Sequence, residues 1–173
     1  MRAAARGLEP ERAAGGQDTF GAVTGDQQEL PAGIPTVIGE VDPEAGMDGQ
    51  QMLELFESGL RETGDSDFEV AMIGAGQTRD DYRGIEGLRE AMADWTSPYS
   101  DYRVFVEGVR ETESGYIFWV RQVGRTKHGG VEVENAGAAV FKGGAGSLHR
   151  IEFHLDRDEA ERSAAEGPQS SQA

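Results

Sequence analysis

Apolar side chains recur with a helical period in two segments of the chain. In the first, a spacing of four residues predicts a helix over residues 48–63, along which lie Met52, Phe56 and Leu60. Asp48 and Gln51 stand at capping-box spacing at its start. A second stripe predicts another helix, which ends at Ser97-Pro98; its members are Ile85, Leu88, Met92 and Trp95.

Shorter apolar runs separated by turn residues predict strands. After the second helix come four such runs, at residues 102–109, 116–125, 131–142 and 148–156, and the short turns between them predict an antiparallel meander. Residues 68–73 predict a short first strand, and residues 74–81 a loop. Asp156 and Glu159 have the spacing of a helix cap, so we expect a short final helix there.

Large apolar residues are scarce at both ends of the chain. Residues 1–46 are rich in Gly, Ala, Gln, Glu and Pro, a composition that cannot bury enough apolar surface to offset the entropy lost on ordering. The sequence therefore predicts a poorly ordered leader over residues 1–46, a single folded domain over residues 47–165 and a flexible tail over residues 166–173. Met47 is an alternative start, which would make the leader an extension.

The charge and the scarcity of metal ligands exclude several classes of function. The formal net charge of −16 repels phosphate backbones and anionic lipid headgroups, so we expect no nucleic-acid or membrane partner. The chain has no cysteine, its three histidines are scattered, and none of its 25 glycines forms a dinucleotide or Walker motif. We expect no metal site and no cofactor. Without a secretory signal or a membrane-spanning apolar run, a cytoplasmic location is the default expectation.

Several ordered motifs together resemble a known family. Tyr82-Arg-Gly-Ile-Glu-Gly-Leu-Arg precedes the helix that contains Trp95, the strands follow, and the last one closes as Ile151-Glu-Phe-His-Leu-Asp-Arg-Asp-Glu-Ala. Over roughly residues 65–165 this combination is similar to the SnoaL-like proteins of the nuclear transport factor 2 superfamily. The resemblance implies an α+β cone, in which a curved antiparallel sheet wraps around helices and encloses an apolar cavity, and a homodimer through the outer sheet face.

The sequence departs from the family pattern in two places. Family members usually begin with two helices before the first strand, whereas this pattern predicts one, so part of the lid over the cavity is expected to be missing or reshaped. The cyclases of the family carry an acidic general acid/base on the last strand. Counted back from Asp156 without gaps, that position is occupied by Phe153. The cyclase reaction is therefore not supported residue by residue, and the catalytic residues stay unknown.

Polar residues on the predicted strands have two possible orientations. Glu152 and His154 alternate with an apolar set, which favours an outward position over an acid/base pair in the cavity. Arg121 follows four apolar residues and has two open interpretations, one in which it enters the cavity and holds a ligand oxygen, and one in which it pairs with Glu132 or Glu134.

Aromatic residues complete the candidate ligand pocket. Trp95 and Trp119 are flat surfaces suited to a hydrophobic ring system, although each alone also fits an ordinary core. Tyr82 and Tyr102 flank the second helix and offer hydroxyl groups. The full candidate set is Tyr82, Trp95, Tyr102, Trp119, Arg121, Phe153 and His154.

Three functions are compatible with the sequence. The first is binding of a small hydrophobic molecule without assigned chemistry, and the second is cofactor-independent acid/base catalysis on a cyclic or polyketide-like substrate. The third is a dimerising accessory module. An ionisable group beside the cavity would favour the second, whereas an apolar lining would favour the first.

Overall fold

The computed structural model describes residues 44–63, 66–74, 77–144 and 147–166. Within these ranges the chain forms three helices and six strands. Their order is α1 (Gly49–Thr63), β1 (Glu69–Gly74), β2 (Gln77–Arg83), α2 (Gly84–Thr96), β3 (Tyr99–Thr112), β4 (Gly115–Thr126), β5 (Glu132–Gly144), β6 (Ser147–His154) and α3 (Arg157–Ala165). The leader up to residue 43 and the tail from residue 167 lie outside the described residues.

One mixed sheet contains all six strands. Its strand order is β2-β1-β6-β5-β4-β3, and β3 to β6 form the predicted antiparallel meander. The first strand departs from the fully antiparallel expectation, because β1 pairs with β6 in parallel, with Val70 opposite Ile151. Parallel neighbours need a long crossover, and here the chain between them includes β2, α2 and the rest of the meander.

Helices α1 and α2 pack on one face of the sheet, which we call the inner face. The predicted apolar stripes point to this core: Phe56 and Leu60 of α1 and Leu88 and Met92 of α2 are all buried. At the start of α1, the side chain of Asp48 accepts from the backbone N–H of Gln51, as the capping spacing predicts. The architecture is the α+β arrangement that the sequence predicts.

Two glycines explain why the Tyr-Arg-Gly-Ile-Glu-Gly motif joins β2 to α2. Gly84 has φ +60°, and a Cβ there would lie 2.7 Å from the carbonyl oxygen of Ser66. Gly87, on the next turn of α2, would bring a Cβ to 2.9 Å from the backbone of Tyr82. Both glycines therefore allow a tight strand-to-helix connection that keeps α2 against β2.

Helix α3 packs on the opposite face, which we call the outer face. Ala160 and Ala164 contact a second apolar cluster that includes Ile117 and Val140. Asp156 caps α3 by accepting from the N–H of Glu159, as predicted. The outer face is the one through which the resemblance implies a dimer. Since α3 covers part of it, dimerisation stays a prediction that would have to use the remaining surface.

The predicted loop over residues 74–81 is wrong, because most of this segment belongs to β2. Six of the seven residues of β2 are exposed and only Tyr82 is buried, so no apolar alternation marks the strand. Its order comes from backbone pairing with β1 at the sheet edge, for example Gly74 opposite Gln77. Edge strands of this kind need no buried face of their own.

Candidate functional site

A small cavity lies between the two inner helices and the inner face of the sheet. Its volume is about 40 Å³. Strands β3, β4 and β5 contribute the wall, with Val104, Phe118 and Ala139 among its residues, and α1 and α2 close it from above. Several inward-pointing wall residues, such as Val106 and Val120, are only half-buried, which shows that the cavity lies close to solvent on this side.

The lining is apolar except for one group of three hydrogen-bonding side chains. Trp95 Nε1 donates to Tyr102 Oη and to Gln122 Oε1, both at 3.0 Å. The Tyr102 hydroxyl donates to the same Gln122 oxygen at 2.7 Å. We call Trp95, Tyr102 and Gln122 the polar trio. It joins α2, β3 and β4 at one end of the cavity.

Tyr102 is the one titratable side chain among the described residues that line the cavity. Burial raises its pKa well above the usual range, and the hydrogen bond from Trp95 offsets only part of this effect. The hydroxyl therefore stays protonated at neutral pH. It can donate or accept a hydrogen bond but is a poor proton acceptor.

Four of the five methionines of the chain line the cavity; they are Met47, Met52, Met72 and Met92. The fifth, Met1, lies outside the described residues. Methionine is unbranched and has three rotatable side-chain bonds, so it adapts to irregular volumes more readily than leucine or isoleucine. The cavity wall is therefore built from side chains that can rearrange around a bound molecule.

The structure brings three of the seven predicted pocket residues together. Trp95 and Tyr102 belong to the polar trio, and Phe153 lines the cavity, packed edge-on against Phe56 at a centroid distance of 6.0 Å. Their part in ligand binding stays a prediction. The other four, Tyr82, Trp119, Arg121 and His154, lie elsewhere.

Arg121 points to the outer face, so the interpretation that places it inside the cavity is wrong. Its Nε lies 3.4 Å from a carboxylate oxygen of Glu107, and Nη1 lies 4.0 Å from Glu134, one of the two predicted partners. Its guanidinium carbon also lies 4.0 Å from the ring centroid of Phe105. Arg121 is therefore a partly exposed surface residue of β4.

His154 and Glu152 point away from the cavity, as their alternation predicts, but they are not exposed to solvent. Helix α3 covers them, and the two side chains are 1% and 6% exposed. The carboxylate of Glu152 accepts from Arg150 Nε at 2.7 Å and lies 3.1 Å from His154 Nε2 and 3.3 Å from Lys142 Nζ. Ser163 of α3 donates to it as well. These residues form a buried polar network behind the sheet.

The remaining two aromatic candidates have other contacts. The Tyr82 hydroxyl donates to Asp94 Oδ2 at 2.8 Å, and burial together with that carboxylate raises its pKa to about 12. Trp119 lies on the outer face, half-buried in the cluster beneath α3, with Arg110 over its ring at 5.6 Å. Neither side chain lines the cavity.

Gln122 is the polar cavity residue that was not predicted from the sequence. On β4 it has the same parity as Tyr116, Phe118 and Val120, all of which point inward. A single amide among inward apolar side chains is a recognisable signal once the strand face is known. Because β4 has apolar residues at both odd and even positions, its sequence does not show which face points inward.

The described residues contain no helix long and apolar enough to cross a membrane. In the same part of the chain, no group of three or more His, Asp or Glu side chains is arranged to hold a metal ion. The buried polar network has a single carboxylate among cationic and hydroxyl groups and is not such a group.

Comparisons with known proteins give structural neighbours only. No protein-family model matches the chain, and no curated protein matches it. Among solved structures, it is similar to a candidate SnoaL-like polyketide cyclase from Jannaschia sp. CCS1, with 18% identity and a TM-score of 0.53 over 83% of this chain and 99% of the other.

Two further neighbours are more distant. A phenazine biosynthesis-related protein from Pseudomonas aeruginosa is 18% identical, with a TM-score of 0.45 over 73% of this chain and 84% of the other. TerC, crystallised with polyporic acid, is 15% identical, with a TM-score of 0.47 over 66% and 89%.

The element order, the antiparallel meander packed against two helices and the Jannaschia neighbour agree with the predicted resemblance at the level of the fold. A shared fold does not transfer an activity. The chain has the α+β fold seen in proteins of the nuclear transport factor 2 superfamily.

Proposed function

We propose that the chain binds a small, uncharged, largely apolar molecule in the cavity between α1, α2 and the inner face of the sheet. The observation that carries this proposal is the composition of the lining. Among the described residues that form it, none has a carboxylate, an imidazole or a cationic group. A charged ligand would lose its hydration there without gaining a partner of opposite charge.

The same lining argues against the acid/base alternative. A general acid or base needs a pKa near the working pH and hydrogen-bond reach to the ligand. Tyr102 has the reach, but burial moves the pKa of its hydroxyl further from neutrality. The imidazole of His154 and the carboxylate of Glu152 lie on the other side of the sheet, beneath α3.

The cavity must enlarge to accept a ligand. Its volume of about 40 Å³ is well below the roughly 300–1,000 Å³ of typical small-molecule sites. The four methionines supply the means, because their side chains can change rotamer without moving the backbone. The proposal therefore includes rearrangement of the methionines on binding.

Titration with a neutral lipophilic fluorophore, N-phenyl-1-naphthylamine, tests the proposal. We expect a saturable rise in fluorescence with the full chain. Ala139 lies on the inner face of β5 between Phe118 and Phe153, so Ala139→Leu would fill the cavity and weaken binding by about tenfold or more, the scale of a lost apolar contact.

Ala136→Leu is the matched control, since Ala136 lies on the same strand, is exposed, and faces outward beside Arg121. It should bind the fluorophore as the unchanged chain does. Thermal unfolding of both variants checks that they are folded. A response that does not saturate, or equal binding by the two variants, would contradict the proposal.

A further inference from the structure

We infer that Gln122 determines ligand specificity, by donating a hydrogen bond to a carbonyl oxygen of a neutral, apolar ligand. This inference rests on the proposed function and adds to it the chemistry of the ligand. It follows from the orientation of one amide group, from the absence of a protein partner for its nitrogen, and from the lack of charge around it.

Trp95 fixes the orientation of the Gln122 amide. An indole N–H can only donate, so the amide atom that faces Trp95 Nε1 at 3.0 Å must be the oxygen. The Tyr102 hydroxyl donates to the same oxygen at 2.7 Å, which occupies both acceptor positions of Oε1. The two N–H groups of the amide are consequently directed away from the trio.

The amide nitrogen has no protein partner within the described part of the chain. Nε2 lies over Gly137 of β5, where a Cβ would approach it to 2.7 Å and the backbone oxygen of His154 to 2.4 Å. Among the described residues, the fully buried side-chain atoms without a partner belong to Thr112, Tyr116 and His154, and not to Gln122. The nitrogen of Gln122 is therefore accessible to a small molecule.

A donor at the end of an apolar cavity selects for an acceptor on the ligand. The Tyr102 O–H already donates its hydrogen bond to Gln122 Oε1, so the amide N–H groups are the donors that remain in the polar trio. A carboxylate ligand would find no cation in the lining to compensate its charge. A neutral carbonyl oxygen, as in a ketone, ester or quinone, satisfies the amide without that loss.

A pair of compounds with one ring skeleton tests the inference. 1-Tetralone and tetralin differ by one carbonyl oxygen, and their dissociation constants can be measured by following the Trp95 indole N–H in ¹H–¹⁵N NMR titrations. We expect the full chain to bind 1-tetralone about 3- to 10-fold more tightly, as one hydrogen bond provides. In Gln122→Met, which lacks the amide donor, the preference for 1-tetralone over tetralin should be lost.

Gln122→Glu is the second variant. At pH 8 its carboxylate keeps the acceptor for Trp95 and Tyr102 but offers no donor, so the preference for 1-tetralone should disappear there too, even if the methionine variant does not fold. Arg121→Gln, on the outer side of the same strand, should keep the preference.

Equal binding of the two compounds by the unchanged chain, or a preference that survives in both Gln122 variants, would overturn the inference while leaving the cavity a binding site. If neither compound nor N-phenyl-1-naphthylamine binds, the proposed function fails as well.

Discussion

Helices pack on the two faces of the sheet through different kinds of contact. On the inner face, α1 and α2 pack through apolar side chains, and the packing leaves a cavity lined by methionines and aromatic rings. On the outer face, α3 packs through small residues and is attached by the polar network around Glu152. Arg157 adds hydrogen bonds from α3 to the carbonyl groups of Val120 and Gly137.

This difference shows which face can adapt. Apolar contacts are not directional, so the inner side chains can rearrange around a ligand while their helices stay in place. A buried carboxylate with four donors requires one geometry, because each lost hydrogen bond leaves a charged group without compensation. The inner face therefore suits the proposed binding, and the outer face holds the sheet in one geometry.

Adjacent residues of β4 provide the largest expected contrast in stability. Phe118 points inward and packs edge-on against Phe141 at 5.1 Å, whereas Trp119 points outward and is half-buried. Phe118→Ala should lower the free energy of unfolding by about 4 kcal/mol, as expected for a buried aromatic side chain. Trp119→Ala should lower it by less, below about 3 kcal/mol. Urea unfolding measures both, and equal losses would contradict the assignment of the faces.

Glu152→Gln should lower the free energy of unfolding by about 3 kcal/mol, the next largest effect. The reason is that Lys142 and Arg150 would keep their charges beside a neutral side chain. Urea unfolding at pH 7 measures the change. Glu132→Gln is the control, since Glu132 pairs with Arg125 on the exposed surface and should contribute less than about 1 kcal/mol.

The effect of Glu152→Gln should depend on pH. Burial alone would raise the pKa of Glu152, but the hydrogen bonds from His154, Ser163 and Arg150 and the charge of Lys142 outweigh it and hold the pKa well below the usual 4.5. A carboxyl with a lowered folded-state pKa contributes stability above its unfolded-state pKa and loses that contribution as the pH falls. The unfolding free energies of the unchanged chain and of Glu152→Gln should therefore begin to converge as the pH falls below about 4.5. A difference that stays constant with pH would refute this account.

Ser163→Ala should give the smallest of these effects and lower the free energy of unfolding by about 1 kcal/mol, because one hydroxyl group is removed. Ser163 accepts from Lys142 Nζ at 2.7 Å and donates to Glu152, so it connects α3 to the network. Amide hydrogen exchange should show faster exchange in α3 but not in α1 or α2. Faster exchange in all three helices would mean that the outer and inner faces unfold as one unit.

The elements with regular apolar spacing could be predicted from the sequence. Helices α1 and α2, the four strands of the meander and the Asp156 cap all follow local patterns. Strand β2 could not be predicted, since its exposed residues follow no apolar period and only its pairing with β1 orders it.

The site was harder to predict, because it depends on which strand face points inward. Ile117 and Trp119 made β4 apolar on both parities, and the reason is the cover that α3 gives the outer face. The same cover buries Glu152 and His154, whose alternation otherwise indicates exposed positions. A long-range contact of a terminal helix leaves no periodic signal in the strands that it covers.

The bridge between Met47 and Val104 has a practical consequence for handling the protein. Two backbone hydrogen bonds of 2.8 Å attach the residues before α1 to the free edge of β3, whose Val104 also lines the cavity. Glu166, by contrast, follows α3 behind the sheet. A dye or immobilising anchor joined after Glu166 would start on the face of the sheet opposite the cavity, whereas one inserted just ahead of Met47 would start beside the cavity wall.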